Sequence, residues 1–451
     1  MTKVEQLAEW VAAADFSRLS EAARETLKLR ILDALGCAAG AIGSDVLAMV
    51  RAEIDEMGGR PLATLIGGGK TAPDRAALHN SAAVRYLDFN DSFLAPGETC
   101  HPSDNVGAVL AASEFAGGDG RDLMVALAVA YQVQCRLSEV APVRARGFDH
   151  VTQMAYGATA GAARALHLSA AQTANAIAIA GTAFNALRVT RTGRLSNWKG
   201  LAAPNTAFAA VHAAFLARAG VTGPEEVFEG NKGFEDAISG PFDIDWANED
   251  LEIVRRTSVK RFNAEFHSQS ALEAVVDLRD RDLDPRRVAR VDVDVFQVAF
   301  DIIGGGEEGD KKLVTTKEEA DHSLPYMVAV AMLDGEVLPR QYEVERINRP
   351  DVQALLRRVH VHPDPELTAR FPDEHACRLR VTLDDGSVLV REKSDFAGFV
   401  TRPTGWAEAE RKFRDLGGPP SVAAVVRNLE DVKVSELCAA LALARGGGSC
   451  D

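Results

Sequence analysis

The sequence predicts a mainly α-helical body with a smaller α+β domain. Three observations carry this. Ala-rich segments with helical spacing of apolar residues fill the first 250 or so positions, with no strand pattern among them. After about residue 275, valines alternate with polar residues at strand period, as in Val291, Val293 and Val295 against Asp292 and Asp294. Near Trp406 the helical texture returns. The expected division is therefore residues 1–270 with 400–451 as the helical domain, and 271–399 as the smaller one.

The elements follow in order. Residues 4–41 read as two helices. Ser20 is placed to cap the second, which carries the apolar stripe Leu27, Ile31, Ala34 and Leu35. Gly36 and Gly40 permit close helix contact or a stop. Gly67-Gly68-Gly69-Lys70-Thr71 has the look of a phosphate loop, but the first glycine of that motif would fall on Thr64, so it reads as a turn. Ala76, Ala77, Asn80, Ala83 and Val84 recur at helical spacing, and Pro96-Gly97 breaks the pattern. Residues 106–139 and 155–219 are Ala-rich helices. Ser169 and Gln172 form a capping box there, and Gly220 closes the stripe of Phe208, Val211, Phe215 and Leu216. His212 beside that stripe reads as a packing histidine. Thr222 and Glu225 offer a further capping box.

In the second half, Val359 and Val361 alternate with His360 and His362, which read as solvated. Leu379, Val381 and Leu383 lead into Asp384-Asp385-Gly386, and Val388 and Val390 resume the alternation, which is a hairpin pattern. A helix over 324–333 stops at Gly335. Helices return over 407–413 and 434–444, and Gly446-Gly447-Gly448-Ser449 reads as a frayed tail.

Composition narrows the function. The chain has 451 residues, more than one typical core, and 47% are hydrophobic. Its formal net charge of -15 argues against nucleic acid or an anionic membrane as partner. No uninterrupted apolar run reaches membrane-spanning length, and the N-terminal residues do not read as a signal peptide. Cys37, Cys100, Cys135, Cys377, Cys438 and Cys450 include no Cys-x-x-Cys pair. Reduced thiols in a cytoplasmic protein are expected, and neither an iron–sulfur cluster nor a zinc site fits that spacing.

Candidate chemistry concentrates in residues 86–103. Asp88 and Asp91 bracket Asn90, Ser92 follows, and the Pro-Gly loop leads to His101-Pro102-Ser103. A carboxylate and an imidazole facing one cavity can pass protons near neutral pH. Four other clusters stand out. Asp149-His150 opens a helical stretch. Arg188, Arg191, Arg194 and Lys199 crowd together in an acidic chain, with Ser196, Asn197 and Trp198 between them. Hydroxyl, amide and ammonium together suit a carboxylate ligand. Lys260, Glu265 and His267 lie at the inferred domain junction. Asp321, His322 and Tyr326 form a polar turn opening a helix, where Asp321 and His322 stand as possible caps.

Six segments together resemble the MmgE/PrpD family, which includes 2-methylcitrate dehydratases, cis-aconitate decarboxylases and iminodisuccinate epimerases. They are Leu87-Asp-Phe-Asn-Asp-Ser92, His101-Pro-Ser103, Asp149-His-Val151, Arg191-Thr-Gly-Arg-Leu-Ser-Asn-Trp-Lys-Gly200, Ala264-Glu-Phe-His-Ser-Gln-Ser270 and Ala320-Asp-His-Ser-Leu-Pro-Tyr326. The resemblance implies a helical body with an α+β lid domain, a homodimer, and an enzyme with no metal and no cofactor. It implies that Asp88, Ser92, His101, Lys199 and Lys260 line the site. Gln153 stands where the decarboxylase branch has a histidine, and Trp198-Lys199-Gly200 resembles the dehydratase side.

The expected function is a hydro-lyase dehydrating a citrate-like di- or tricarboxylate. A base takes the proton α to a carboxylate, an acid protonates the departing hydroxyl, and fixed cations hold the developing charge. Asp88, His101, His150, Lys199 and Tyr326 are the expected catalytic groups. Asp91, Ser92, Ser103, Arg191, Ser196, Lys260, Glu265 and His267 are the expected substrate contacts. Epimerisation and decarboxylation use the same first step and stand as alternatives. A non-catalytic carboxylate-binding protein is the alternative of another class.

Overall fold

A computed structural model describes residues 1–193, 195–280 and 283–444. Arg194 of the cationic cluster, Cys450 and the Gly446–Ser449 tail lie outside the described residues. The chain forms two compact units: Met1–Thr190, Gly200–Ser258 and Thr404–Asp451 make the first, and Arg191–Lys199 with Val259–Pro403 makes the second. The expected boundaries were 270 and 400. The change comes earlier because Phe262 and Ala264 already belong to the second unit's core, and the Val259 N–H bonds to the Gly398 carbonyl.

The first unit is a stack of helices. Lys3–Ala12 and Glu21–Ala41 occupy the predicted N-terminal region, and the Ser20 hydroxyl accepts the Ala23 N–H as its cap. Small residues let the helices approach closely. A Cβ on Gly157 would lie 2.8 Å from the Ala130 carbonyl, so the helix Val151–Ala165 seats directly on Gly120–Val140. A Cβ on Gly36 would lie 3.2 Å from Phe413, on the helix Trp406–Asp415, which explains how the C-terminal segment packs on residues 21–41. The helix Trp198–Arg218 is long and apolar enough to cross a membrane by length and composition, but it is not an uninterrupted apolar run, and 61% of its most apolar window is buried inside the fold, as in a core helix.

Short hairpins interrupt the helices. Ala63–Thr64 pairs with Lys70–Thr71 around the Gly67–Gly69 turn, and Phe93–Ala95 pairs with Glu98–Cys100 around Pro96-Gly97. Strands of two or three residues are too short to leave an alternating signature. The box at Ser169 and Gln172 forms, with each side chain accepting the other's backbone N–H. Thr222 does not cap a helix: residues 225–229 are turns, and the next helical stretch is the π-turn Glu235–Ser239.

The second unit is α+β. Its sheet has four strands. Val359–Pro363 runs parallel to Val288–Val295, which pairs antiparallel with Cys377–Leu383, and Val388–Lys393 completes the edge. Val291 and Val293 are fully buried, as the alternation requires. Gly386, at φ +82°, takes the left-handed turn of the predicted hairpin. The helices Gln269–Arg279 and Leu324–Asp334 contribute to the same apolar core.

That core holds a buried histidine. His375 is fully buried, its Nδ1 lies 2.9 Å from the Ser270 hydroxyl, and Phe266, Phe296 and Phe396 meet its ring edge-on. Burial is the main cause that brings its pKa down from 6.5 to about 3. The unfolded chain takes a proton at 6.5 that the folded ring refuses until about pH 3. Stability from this source is therefore complete above pH 6.5 and declines as pH falls towards 3, by about 2–3 kcal/mol at pH 4.5. Urea midpoints measured between pH 4.5 and 7 should fall on acidification, with a shallower slope in His375→Gln. Equal slopes in the two proteins would refute the assignment.

Candidate active site

The expected site residues collect in two groups, one in each compact unit. In the first unit, the helix Pro73–Tyr86 ends at Leu87 and the chain reverses through Asp88 at φ +54°. This left-handed conformation is one that Asp tolerates better than most residues. Arg85 Nη1 donates to Asp88 Oδ1 at 2.5 Å, with both side chains buried, and Arg85 also lies 3.7 Å from Asp104. Asn90 Nδ2 donates to Ser103 Oγ at 2.9 Å and to Asp104 Oδ1 at 2.8 Å.

Asp91 is fully buried, and protein donors engage both of its oxygens. The Ser103 N–H donates to Oδ1 at 3.0 Å, and the Tyr131 hydroxyl to Oδ2 at 2.9 Å. Burial raises its pKa against the pull of those bonds and of Arg30. The geometry makes Asp91 a brace joining residues 91 and 103, where a substrate contact was expected.

The same residue orients His101. The hairpin delivers His101 directly after Cys100, and its Nδ1 lies 2.8 Å from the Asp91 carbonyl and 3.0 Å from the Ser92 hydroxyl. A carbonyl oxygen only accepts, so the ring carries its hydrogen on Nδ1 and Nε2 is its basic nitrogen. At Nδ1 the orienting contact is the Asp91 main chain. His150 meets the His101 ring edge-on with centroids 5.3 Å apart, and its Nε2 is 3.5 Å from Asp149 Oδ1. Gln153 donates to the Ala141 carbonyl at 3.1 Å.

In the second unit, Lys199 is the hub. Its Nζ donates to Asp321 Oδ1 at 2.6 Å and lies 2.8 Å from His322 Nδ1. Lys317 donates to Asp321 Oδ2 at 2.8 Å. Burial opposes ionisation of Asp321, but the charges of Lys199 and Lys317 outweigh it and hold the carboxyl far below its usual range. Arg191 Nη1 reaches the Lys199 carbonyl at 3.5 Å. The Glu265 N–H donates to the Asp321 carbonyl at 3.1 Å, and Glu265 Oε1 lies 2.7 Å from His267 Nδ1. Burial again opposes ionisation, and His267, His322 and Lys260 overcome it, leaving Glu265 with a pKa of about 2. Lys260 is buried, at 1% exposure. Burial lowers the pKa of Lys311, which Glu308, Glu265 and Asp321 partly restore.

Two expected residues fall elsewhere. Tyr326 sits in the second unit's apolar core, its hydroxyl donates to the Gln341 carbonyl, and burial pushes its pKa up. That is the place of a structural phenol, and the catalytic role expected of it has no support in this geometry. Ser196 is exposed, and its carbonyl accepts the Lys199 N–H at 3.0 Å at the start of a helix. The caps expected of Asp321 and His322 are also corrected, because Ser323 Oγ accepts the Tyr326 N–H at 3.1 Å and caps that helix. Sequence reasoning passed over Lys317, Lys311, Arg85 and Tyr131. Lys317 had a signal, since it lies four residues before Asp321 on a helical turn.

Comparison with known proteins bears on this arrangement. The MmgE/PrpD N-terminal domain matches residues 5–247, and the MmgE/PrpD C-terminal domain matches residues 262–433. The chain belongs to the MmgE/PrpD family. A mitochondrial 2-methylcitrate dehydratase of Yarrowia lipolytica is 27% identical over 413 residues, covering 86% of this chain and 78% of its own. The 2-methylcitrate dehydratase of Escherichia coli is 27% identical over 401 residues, covering 81% and 79%. The cis-aconitate decarboxylase of Mus musculus is 26% identical over 433 residues, covering 90% and 86%. These relatives are enzymes, and the chain is an enzyme of their family.

Proposed function

We propose that the protein is a hydro-lyase that dehydrates a citrate-like di- or tricarboxylate. The observation that carries this reading is the cation cluster of the second unit. Lys199, Lys317, Lys260, Lys311 and Arg191 gather around Asp321, Glu265 and Glu308, so cations are in excess there although the whole chain is strongly acidic. Such a cluster is suited to hold carboxylates and the charge that builds on them when an α-proton leaves. In the first unit, His101 with its basic Nε2 has the chemistry that a base for such a proton needs. The names of the dehydratase relatives support citrate-like compounds as the substrate class.

The test is an assay of purified protein with 2-methylcitrate and with citrate, following absorbance of an unsaturated product, with and without a chelator. We expect product in both conditions, because lysines and histidine supply the charge and the proton transfer. Exchange of the α-proton with deuterated water and inverted stereochemistry, without alkene, would identify an epimerase instead. Release of carbon dioxide would identify a decarboxylase. Saturable binding with neither exchange nor product would reduce the protein to a carboxylate binder.

We further propose a cytoplasmic homodimer. The described cysteines Cys37, Cys100, Cys135, Cys377 and Cys438 are buried and unbridged. The stretch 187–198 exposes Leu187, Val189 and Trp198, which a second copy would cover. Light scattering that gave a monomer mass would dismiss the dimer.

A further inference from the structure

We propose that Lys311 is a covalent binding site for small uncharged aldehydes, which its side-chain amine captures as an imine inside a cavity of the second unit. The proposal goes beyond the dehydration reading and needs no turnover. The cavity measures about 300 Å³. Leu195, Leu313 and Val314 give it apolar walls, and Glu308, Asp310, Lys311 and Glu319 give it charge. All of these residues belong to the second unit.

Lys311 differs from the paired lysines of this unit. Lys199 and Lys317 both donate to Asp321. The Lys311 ammonium makes no hydrogen bond or ion pair among the described residues. Its side chain is part-buried, and burial lowers its pKa against the pull of Glu308, Glu265 and Asp321. A desolvated lysine with no fixed partner gives up its proton more readily, and the neutral amine is the nucleophile. The backbone beneath it is held in place: the Ser323 hydroxyl donates to the Lys311 carbonyl, and the Glu308 N–H donates to the Asp301 carbonyl at 2.9 Å.

Charge selects the ligand class. Three carboxylates line the cavity with one lysine. Glu319 Oε2 is held by the N–H groups of Thr315 and Thr316, Asp310 Oδ1 by the Lys312 N–H, and Glu308 is buried. Such a lining repels an anionic ligand. It also opposes acylation, which would turn the lysine into a neutral amide and leave the carboxylates without their cation. A protonated imine keeps the positive charge, and the apolar walls take the aldehyde's alkyl part.

The step balances. The ammonium gives a proton to solvent, and the amine lone pair forms a bond to the carbonyl carbon. The carbonyl π pair moves to oxygen, and a proton moves from nitrogen to that oxygen. The oxygen takes a second proton from solvent and leaves as water while the nitrogen lone pair forms the C=N bond. One ammonium and one aldehyde become one protonated imine and one water.

The test is reductive trapping of the full chain with isobutyraldehyde and sodium cyanoborohydride at neutral pH, followed by peptide mass mapping over time. Cyanoborohydride adds hydride to the imine carbon and leaves a stable isobutyl-lysine. We expect Lys311 to be alkylated at least about fivefold faster than the exposed Lys232 and Lys433. A smaller ratio would overturn the proposal. With glyoxylate, an anionic aldehyde, the ratio of Lys311 to Lys433 labelling should be lower, and an equal or higher ratio would overturn the uncharged class. Lys311→Arg should lose the fast phase of total labelling, and a fast phase that persists would refute the assignment. Should that variant not fold, the map of the unaltered protein decides alone. Failure of the dehydration reading is separate, because labelling is read with no carboxylate substrate present.

Discussion

Replacing His101 by alanine is expected to lower kcat by about two to four orders of magnitude, the usual range for losing a general base. The loss should appear in kcat more than in KM, because the ring is assigned a proton rather than a carboxylate. The structure gives this expectation a control. His101 Nδ1 is held by both the Asp91 carbonyl and the Ser92 hydroxyl. Ser92→Ala removes one of the two and leaves the tautomer fixed by the other, so it should cost roughly tenfold or less. Equal damage from the two substitutions would mean that the loop, not the imidazole, matters. If His101→Ala stays within a few-fold of the parent while folded, the base must be sought elsewhere, and His150 against its edge is the first place.

Lys199→Ala should weaken substrate binding by about 2–5 kcal/mol, the penalty for stripping a desolvated carboxylate of its counter-charge. It should also destabilise the protein, because Asp321 is fully buried and would keep Lys317 as its remaining lysine partner. Both effects are measurable: the dissociation constant of tricarballylate, an unreactive tricarboxylate, by calorimetry, and the urea midpoint at pH 7. Lys199→Arg retains the charge and should recover much of the binding. An alanine variant that binds tricarballylate as tightly as the parent would remove Lys199 from the substrate site.

Much of the fold was legible because its signals are local. Helical spacing, the caps at Ser20 and Ser169, and the valine alternation of the sheet are all written within a few residues. The hairpin that carries His101 was not, since three-residue strands have no periodicity and Pro96-Gly97 reads equally as a loop. In the site, residue types were legible but partnerships were not. Asp91 and Asp88 look alike in sequence, and only packing decides that Tyr131 and Ser103 engage the first while Arg85 takes the second. Tyr326 looked like a proton donor until the Gln341 carbonyl, fifteen residues on, claimed its hydroxyl. Asp321 and His322 looked like caps because the lysine they meet is 122 residues away in the chain.

The excursion of Arg191–Lys199 into the second unit bears on how such a protein can be recombined. A cut at residue 258 yields two tidy halves on paper. The C-terminal half, however, would carry Asp321, His322 and Lys260 without the lysine that pairs with the first two. Grafting this unit onto a relative's helical body would import a buried carboxylate that keeps Lys317 but must take its second lysine partner from the recipient's equivalent of residues 191–199. Viable chimeras should therefore inherit the nine-residue loop and the α+β segment from the same parent, and the two are expected to vary together when substrate preference drifts.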